Sequence, residues 1–383
     1  MKYIIAAVFT FVLLYISGCS GITVDKIIKV DQDDWTMSGG SPQQQHASKY
    51  VLAPPLNLMW DYNIEGGVGP SGITASDAVV FVNALQGELF TFDINSGGKI
   101  GNLKFLGKDC STAPLILGKD VVFTYAGDKK YSVASYDLTA GKINWRKNYG
   151  DIQTSPVLYE GYIYFGSLNG NFYKIDLNSG RMIWKFNSKG QIHSTCALKG
   201  SVAVFGNDKG FVYGIDLNSG AELWKVDLKL PVMSTPLVNE KNVFIGCNDS
   251  NFYSISLDSG RVNWKLNLHS KLIGGSALDA GGNLITGAVD GSIYSISSAG
   301  EVNWKTGTGG AVISSPVVSG NYIYVSSYDS YIYSIDASDG RVLWSSLLEN
   351  KVKTTPVIWK EYLFVAADEI VYCFTSRNVE KKY

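Results

Sequence analysis

A tryptophan returns at Trp145, Trp184, Trp224, Trp264, Trp304 and Trp344, at intervals of 39, 40, 40, 40 and 40 residues. Each closes a stretch of one pattern: YDLTAGKINW, IDLNSGRMIW, IDLNSGAELW, ISLDSGRVNW, ISSAGEVNW and IDASDGRVLW. A weaker copy, FDINSGGKIGN, begins at Phe92 and lacks the indole. A fixed period near 40 restricts the chain to architectures that stack or ring one small unit: a solenoid, a propeller or an array. A second marker keeps the same period about ten residues after each Trp, as in Thr154-Ser155-Pro156, Ser194-Thr195-Cys196, Ser234-Thr235-Pro236, Gly274-Gly275-Ser276, Ser314-Ser315-Pro316 and Thr354-Thr355-Pro356, with earlier copies at Pro114 and Pro70.

Between the markers lie short alternating runs of apolar and aromatic residues, such as Tyr162 to Phe165 and Phe172 to Ile175, separated by turn pairs such as Asn169-Gly170. These are strand signals of period two, and no helix-period stretch of any length follows residue 20. Composition agrees: charged residues make up only 17% while aromatics reach 13%, with 23 Tyr and 9 Trp, a bias toward strands. Each repeat therefore reads as four short antiparallel strands, the unit of a β-propeller blade. First-strand markers number eight, but only seven fourth strands follow the first marker, because the last repeat stops after TTPVIWKEYLFVAADEIVYCF. The missing strand is upstream in LNLMWDYNI, whose Trp60 precedes the first marker by about ten residues. The predicted fold is all-β: a single eight-bladed propeller of four-stranded antiparallel blades, closed by the N-terminal strand joining the C-terminal blade. A seven-bladed ring with a decorated N-terminus is the alternative.

The turn ahead of each Trp has its own chemistry. In Asp176-Leu177-Asn178-Ser179-Gly180 the carboxylate can accept backbone N–H groups across the turn, and Gly180 supplies the positive φ that folds the chain back. Trp60, Trp145, Trp184, Trp224, Trp264, Trp304 and Trp344 are then expected to dock neighbouring blades on one another. Burying about 200 Å² of indole at ~25 cal/mol per Å² gives an upper figure of about 5 kcal/mol each. Blade packing alone accounts for the repetition, with no substrate required.

The chain opens MKYIIAAVFTFVLLYISGCS: one Lys, an apolar run from Tyr3 to Ile16, two small residues and Cys19. That layout, too short for a comfortable bilayer span, is an export signal. Ile16-Ser17-Gly18-Cys19 resembles the lipobox of bacterial lipoproteins, which implies cleavage before Cys19 and a diacylglycerol on its sulfur. Ser20 stands where an Asp would resemble the inner-membrane retention signal, so the resemblance implies the outer membrane, with the protein facing the periplasm. The expected organisation is a signal peptide over 1–18, a lipidated Cys and N-terminal tether or lead-in segment over 19–55, the propeller over 56–377 and a tail over 378–383. Four more cysteines, Cys110, Cys196, Cys247 and Cys373, follow no CxxC or zinc spacing and read as buried free thiols.

The repeats resemble the pyrroloquinoline-quinone-type propeller repeat, and Asp34-Trp35-Thr36-Met37-Ser38-Gly39-Gly40-Ser41-Pro42-Gln43 is similar to the lead-in segment of many such propellers. With a lipobox and one eight-bladed ring, the chain looks most like the scaffold lipoproteins of the outer-membrane β-barrel assembly machinery. That resemblance implies a non-catalytic, lipid-anchored scaffold whose partners are a barrel-inserting outer-membrane subunit and nascent outer-membrane proteins. It supplies no interface residue that matches a position here. A periplasmic or extracellular ligand-binding or sensory propeller is the alternative, and a quinoprotein dehydrogenase a third reading. Against the third, there is no adjacent Cys pair, and the chain is shorter than catalytic members, whose insertions build the cofactor cavity. No catalytic, cofactor or metal residue is therefore assigned. A net charge of −1 with dispersed Lys and Arg offers no field for nucleic acid. Gly67-Val68-Gly69-Pro70-Ser71-Gly72 has the form GxGxxG but precedes a strand, not a helix, and reads as a turn. Asp208, Asp249, Asp290 and Asp329 recur at the period and read as Asx-turn acids. Of His46, His193 and His269, only His193 sits just ahead of a first-strand marker, where a central channel would run.

Overall fold

The middle strands of each repeat are near-continuous apolar runs while the last alternates, and this difference tells how the repeats are stacked. In the third repeat Tyr162–Gly166 and Asn171–Asp176 are buried on both faces, whereas Met182–Asn187 is half-buried at Trp184 and Phe186 and exposed elsewhere. Strands covered on both sides must lie between two other sheets. The computed structural model describes residues 21–105 and 109–378, and among them it shows eight antiparallel four-stranded sheets and no helix. Seven of the sheets are built from consecutive strands, Val68–Ser76 opening the first blade and Val342–Leu347 ending the seventh. The eighth combines Val357–Trp359, Tyr362–Ala367 and Ile370–Thr375 with Asn57–Asn63, the N-terminal strand, which pairs antiparallel with Ile370–Thr375. The ring is thus eight-bladed and closed by the two ends of the chain, so no sheet edge is left at a gap in the circle.

The outer strand of every blade carries a one-residue irregularity just ahead of the Trp position, for example between Met182 and Trp184 and between Val262 and Trp264. A bulge re-aims the next side chain. Here it lays the indole over the turn of the following blade. The indole N–H groups of Trp60, Trp145, Trp184, Trp224, Trp264 and Trp304 donate to the carbonyls of Ile94, Leu177, Leu217, Leu257, Ser298 and Ala337, at 2.7 to 3.2 Å. Each acceptor follows the first residue of the next blade's Asp-x-x-Ser-Gly-type turn. The glycine ending that turn faces the ring: a Cβ on Gly220 would lie 2.8 Å from Trp184, and one on Gly180 2.5 Å from Trp145. Both glycines have positive φ, 73° and 63°. Trp224 and Trp304 are buried and the other four of these indoles are half-buried. Trp344 meets no such turn, because the eighth blade's outer strand arrives from the N-terminus; it packs edge-on against Phe374, centroids 5.6 Å apart.

Inside the ring the Ser/Thr-Ser/Thr-Pro marker does two jobs. Its first hydroxyl stays within the blade: Thr154 Oγ1 accepts from Gly166 N–H at 3.0 Å and donates to Gly166 O at 2.9 Å, and Thr354 does the same with Ala366. Its second hydroxyl reaches the preceding blade. Ala113 N–H donates to Ser155 Oγ, Ser155 N–H to Thr195 Oγ1, Gly275 N–H to Ser315 Oγ and Ser315 N–H to Thr355 Oγ1, all at 2.9 to 3.2 Å. Thr355 N–H then donates to Pro70 O at 2.7 Å, carrying the chain of bonds from the eighth blade to the first.

The outer contact is separable from backbone strain by comparing two glycines of similar φ. Gly220 abuts Trp184, whereas Gly200, φ 57°, has nothing within 4 Å of its would-be Cβ. Gly200→Ala should cost about 1 kcal/mol through φ alone. Gly220→Ala should cost roughly 2 kcal/mol more, because it also displaces the indole. Urea unfolding of both variants checks this, and equal losses would remove the indole from the account.

Candidate functional site

The first strands line the ring's centre and run in one direction, so residues at one marker offset share one level of the channel. Just ahead of the hydroxyl pair stand Ser111, Gln153, His193, Met233, Ile273 and Ile313, one from each of six successive blades. Together with Pro70, Ser71 and the hydroxyls of the inner circle they line a cavity of about 190 Å³. Its rim divides in two. On one arc Gln153 Nε2 donates to Asp109 Oδ2 at 2.6 Å, His193 Nε2 lies 3.3 Å from Asp208 Oδ2, and Lys353 Nζ pairs with Asp368 at 2.6 Å. The other arc is Met233, Ile273 and Ile313, apolar and half-buried. Asp208 Oδ1, Asp109 Oδ1 and Asn248 Oδ1 are buried with no hydrogen-bond donor.

The opposite end of the channel is closed by the N-terminal lead-in segment. The carbonyls of Trp35, Thr36, Pro42, Gln43, Gln45 and His46 accept, in that order, from the N–H groups of Ala75, Ile116, Leu198, Val238, Leu278 and Val318. Six different blades thus hold one continuous stretch, and Ala47–Ser48 then adds a short parallel strand to the seventh. Asp34 fastens the start of this floor across the closing seam. Its Oδ1 accepts from Trp359 Nε1 of the eighth blade at 2.7 Å, and its Oδ2 from Ser76 Oγ of the first at 2.6 Å. The similarity of Asp34 to Gln43 to a propeller lead-in therefore marks the plate on which the channel ends. Sequence reasoning did not find this, because the segment has no period of its own; its cue is the cluster of Gly39, Gly40 and Pro42 between two tryptophan-bearing stretches.

His46 ends the floor. It is fully buried, and its Nδ1 donates to the carbonyls of Gln44 and Ser276, both at 3.0 Å. Burial pulls the imidazole down from 6.5 to about 4, against the smaller opposing effect of those carbonyls. His193 lines the funnel as its marker position suggested, and His269 sits exposed at φ 59° on a connecting turn. Asp249, Asp290 and Asp329 are Asx-turn acids, each Oδ1 accepting the N–H two residues on. Asp208 is not: Asn207 caps that turn, accepting from Lys209 N–H at 3.1 Å, and Asp208 faces His193 instead. The difference is a one-place shift: counted from Gly206, Gly246, Gly287 and Ser326, Lys209 holds the place of the other turns' acid and Asp208 stands one residue ahead of it. The GxGxxG stretch is not the turn its composition suggested: from Val68 on it is strand, the start of Val68–Ser76, with Gly67 just ahead of it. Cys110, Cys196, Cys247 and Cys373 are free and buried, and burial pushes all four thiols up, away from nucleophilic thiolate. Cys19 and the signal segment lie outside the described residues.

The donors present decide what the funnel can hold. Pyrroloquinoline quinone is a tricarboxylate that binds with a divalent cation, so its site needs several cationic or N–H donors and a carboxylate cluster. Among the described residues no three His, Cys, Asp or Glu side chains converge on a metal-sized space. The funnel's one imidazole already faces Asp208, and Lys353 faces Asp368. The residues do not fit that cofactor. They suit a small neutral or amphipathic group, apolar on the Met233 side and accepting or donating hydrogen bonds on the other.

Comparison with known proteins follows the same lines. A family model described as "Outer membrane protein assembly factor BamB" matches residues 67–186, 170–272 and 248–379. A curated protein of the same description from Taylorella asinigenitalis is 27% identical over 142 residues, which is 33% of this chain and 35% of that protein, so the match spans about a third of the relative's length. Among solved structures, BamB from Moraxella catarrhalis superposes with a TM-score of 0.66 at 14% identity, over 84% of this chain and 100% of its own. The quinohemoprotein alcohol dehydrogenase of Comamonas testosteroni superposes with a TM-score of 0.78 at 12% identity, over 92% and 82%. At such identities the structural likenesses establish the shared propeller.

Because His46 binds a proton in the unfolded chain below about 6.5 but in the folded protein only below about 4, stability should fall as pH is lowered from 6.5 to 4. The loss attributable to this group is about 3 kcal/mol at most. His46→Asn, which retains an N–H donor without a titrating ring, should flatten that part of the curve in thermal melts across the interval. An unchanged slope would remove His46 as its source.

Proposed function

This chain belongs to the outer membrane protein assembly factor BamB family, and from that premise we propose that it is a non-catalytic scaffold of the cell envelope. In this reading it is anchored by a lipid on Cys19, faces the periplasm from the outer membrane, and assists the insertion of outer-membrane β-barrel proteins through protein contacts. Its partners are a barrel-inserting outer-membrane subunit and, while they pass, nascent barrel proteins. The observation that carries the reading is the extent of the family match, whose overlapping stretches run from residue 67 to residue 379 and not over a single repeat. The funnel's chemistry supports it from another side. Four of the hydroxyls around the cavity, on Ser155, Thr195, Ser315 and Thr355, serve as acceptors in the bonds that join blades, and the thiols are buried away from the cavity lining. A ring so braced is a rigid platform, and rigid platforms bind by their loops.

A second reading rests on one observation. The buried, donor-less Oδ1 of Asp208 belongs to a carboxylate that faces His193, a residue of the cavity lining next to the Met233 arc, as in a site for a small ligand. Saturable thermal stabilisation by a quinone, calcium or saccharide library, abolished by Asp208→Ala, would favour it.

Affinity capture of the detergent-solubilised full-length protein should recover a barrel-inserting subunit, and Cys19→Ala should move the protein from the membrane to the soluble periplasmic fraction. Recovery of the protein alone would count against the scaffold. Unchanged fractionation of Cys19→Ala would count against the anchor.

A further inference from the structure

One outer strand lacks its tryptophan, and the structure shows what stands there. In the first blade the Trp position is Gly101, within Lys99–Lys104. A Cβ on Gly101 would lie 3.0 Å from Gly21 O and 3.3 Å from Ile22 Cα. The N-terminal segment crosses this seam: Ile22, Val24 and Ile28 are buried in one cluster with Phe81, Leu103, Tyr136 and Leu138 of the first and second blades. Val24 N–H donates to Leu138 O at 2.9 Å. Leu138 follows Asp137 in the second blade's turn, so its carbonyl is the counterpart of the one that receives an indole N–H at the other seams. Ile22 is held at both backbone atoms by Tyr136, whose hydroxyl donates to Ile22 O at 2.9 Å and accepts from Ile22 N–H at 3.1 Å. The turn glycine Gly141, whose equivalents face indoles, faces Thr23. Residues 21–24 thus take over both halves of the missing contact, its bulk and its hydrogen bond.

Covalent reach turns this into a statement about orientation. Cys19 is two residues from Gly21, so its Cα lies within about 7 Å of Gly21 Cα. We propose that the rim between the first and second blades is the face the protein presents to the phospholipid bilayer, held there because the lipidated end is built into the fold. The proposal rests on the anchor reading for Cys19. Two observations support it independently of chain length. The segment that docks at this seam adds exposed apolar side chains of its own, Ile27 at 63% and Val30 at 45% exposure, to the apolar residues that outer strands all round the ring present. The turn that ends in Gly141 also lies at the floor end of the blade, so anchoring here leaves the funnel mouth directed away from the membrane, open to partners in the aqueous phase.

The test has two arms. In the non-lipidated mature chain, starting it at Asp25 should lower the melting temperature by about 4 °C. Gly101→Trp should restore most of that loss in the shortened chain and give no gain in the complete one, where the indole and residues 21–22 compete. A shortened chain that melts unchanged would overturn the docking. For the second arm the lipidated full-length protein is placed on phosphatidylethanolamine–phosphatidylglycerol vesicles carrying a quenching lipid, with a fluorophore on Lys142→Cys or on Lys265→Cys. Quenching should be confined to the Lys142 probe and lost from it when Gly101→Trp releases the segment. Equal quenching of both probes before that substitution would overturn the orientation. Absence of lipid on Cys19 would overturn the anchor reading and the orientation with it, while the thermal arm would still report on the seam.

Discussion

The indole laid on the next blade's glycine turn is the contact on which the ring depends. It joins an apolar surface to a hydrogen bond in one side chain, the indole N–H reaching a carbonyl that the turn leaves without a strand partner. It also fixes angle as well as distance. A flat aromatic plate against a glycine admits one close approach, and the same plate repeated around a circle sets the same rotation at each seam. The inner hydroxyl bonds do the matching work near the axis, where neighbouring strands converge and only small side chains fit. Outer and inner braces together make the circle stiff, and the stiffness leaves function to loops and to what lies at the two ends of the channel.

How much of this could be read from the sequence depended on whether a feature had a period. The blades did: the Trp interval, the Ser/Thr-Pro marker and the alternation in Met182–Asn187 each follow from a unit packed against copies of itself. Closure by Asn57–Asn63 was legible by counting, since eight first strands and seven last ones leave one strand unpaired. The partner of each indole was not legible. Nothing in IDLNSGAELW says that its Gly220 belongs with Trp184, forty residues earlier, and not with its own Trp224. The floor was hidden for the opposite reason, because Trp35 to His46 offers backbone carbonyls to six blades and its side chains need no repeat. Asp208 misled because a one-residue shift put an acid near the turn register without its being the turn's cap.

The structural likeness to quinoprotein dehydrogenases and to BamB proteins comes from one scaffold that serves two kinds of chemistry. The scaffold is specified by seams, and the seams are what the repeat encodes. The centre of the ring is specified by residues at a single marker offset, and there this chain has Gln153, His193, Met233, Ile273 and Ile313, a set that brings together no three His, Cys, Asp or Glu side chains among the described residues. Family and fold therefore agree, and what distinguishes this ring at its centre is written at a handful of positions facing the axis.

The channel floor has a consequence for the order in which the molecule can assemble. Residues 35–46 are made early, yet the N–H partners of their carbonyls are spread from Ala75 to Val318, and Asn57–Asn63 waits for Ile370–Thr375 at the far end of the ring. The beginning of the polypeptide can settle only when the end has emerged. Synthesis from amino to carboxyl terminus thus delivers an open arc with its floor segment unseated, and Ile370–Thr375 acts as the latch that converts it into a wheel.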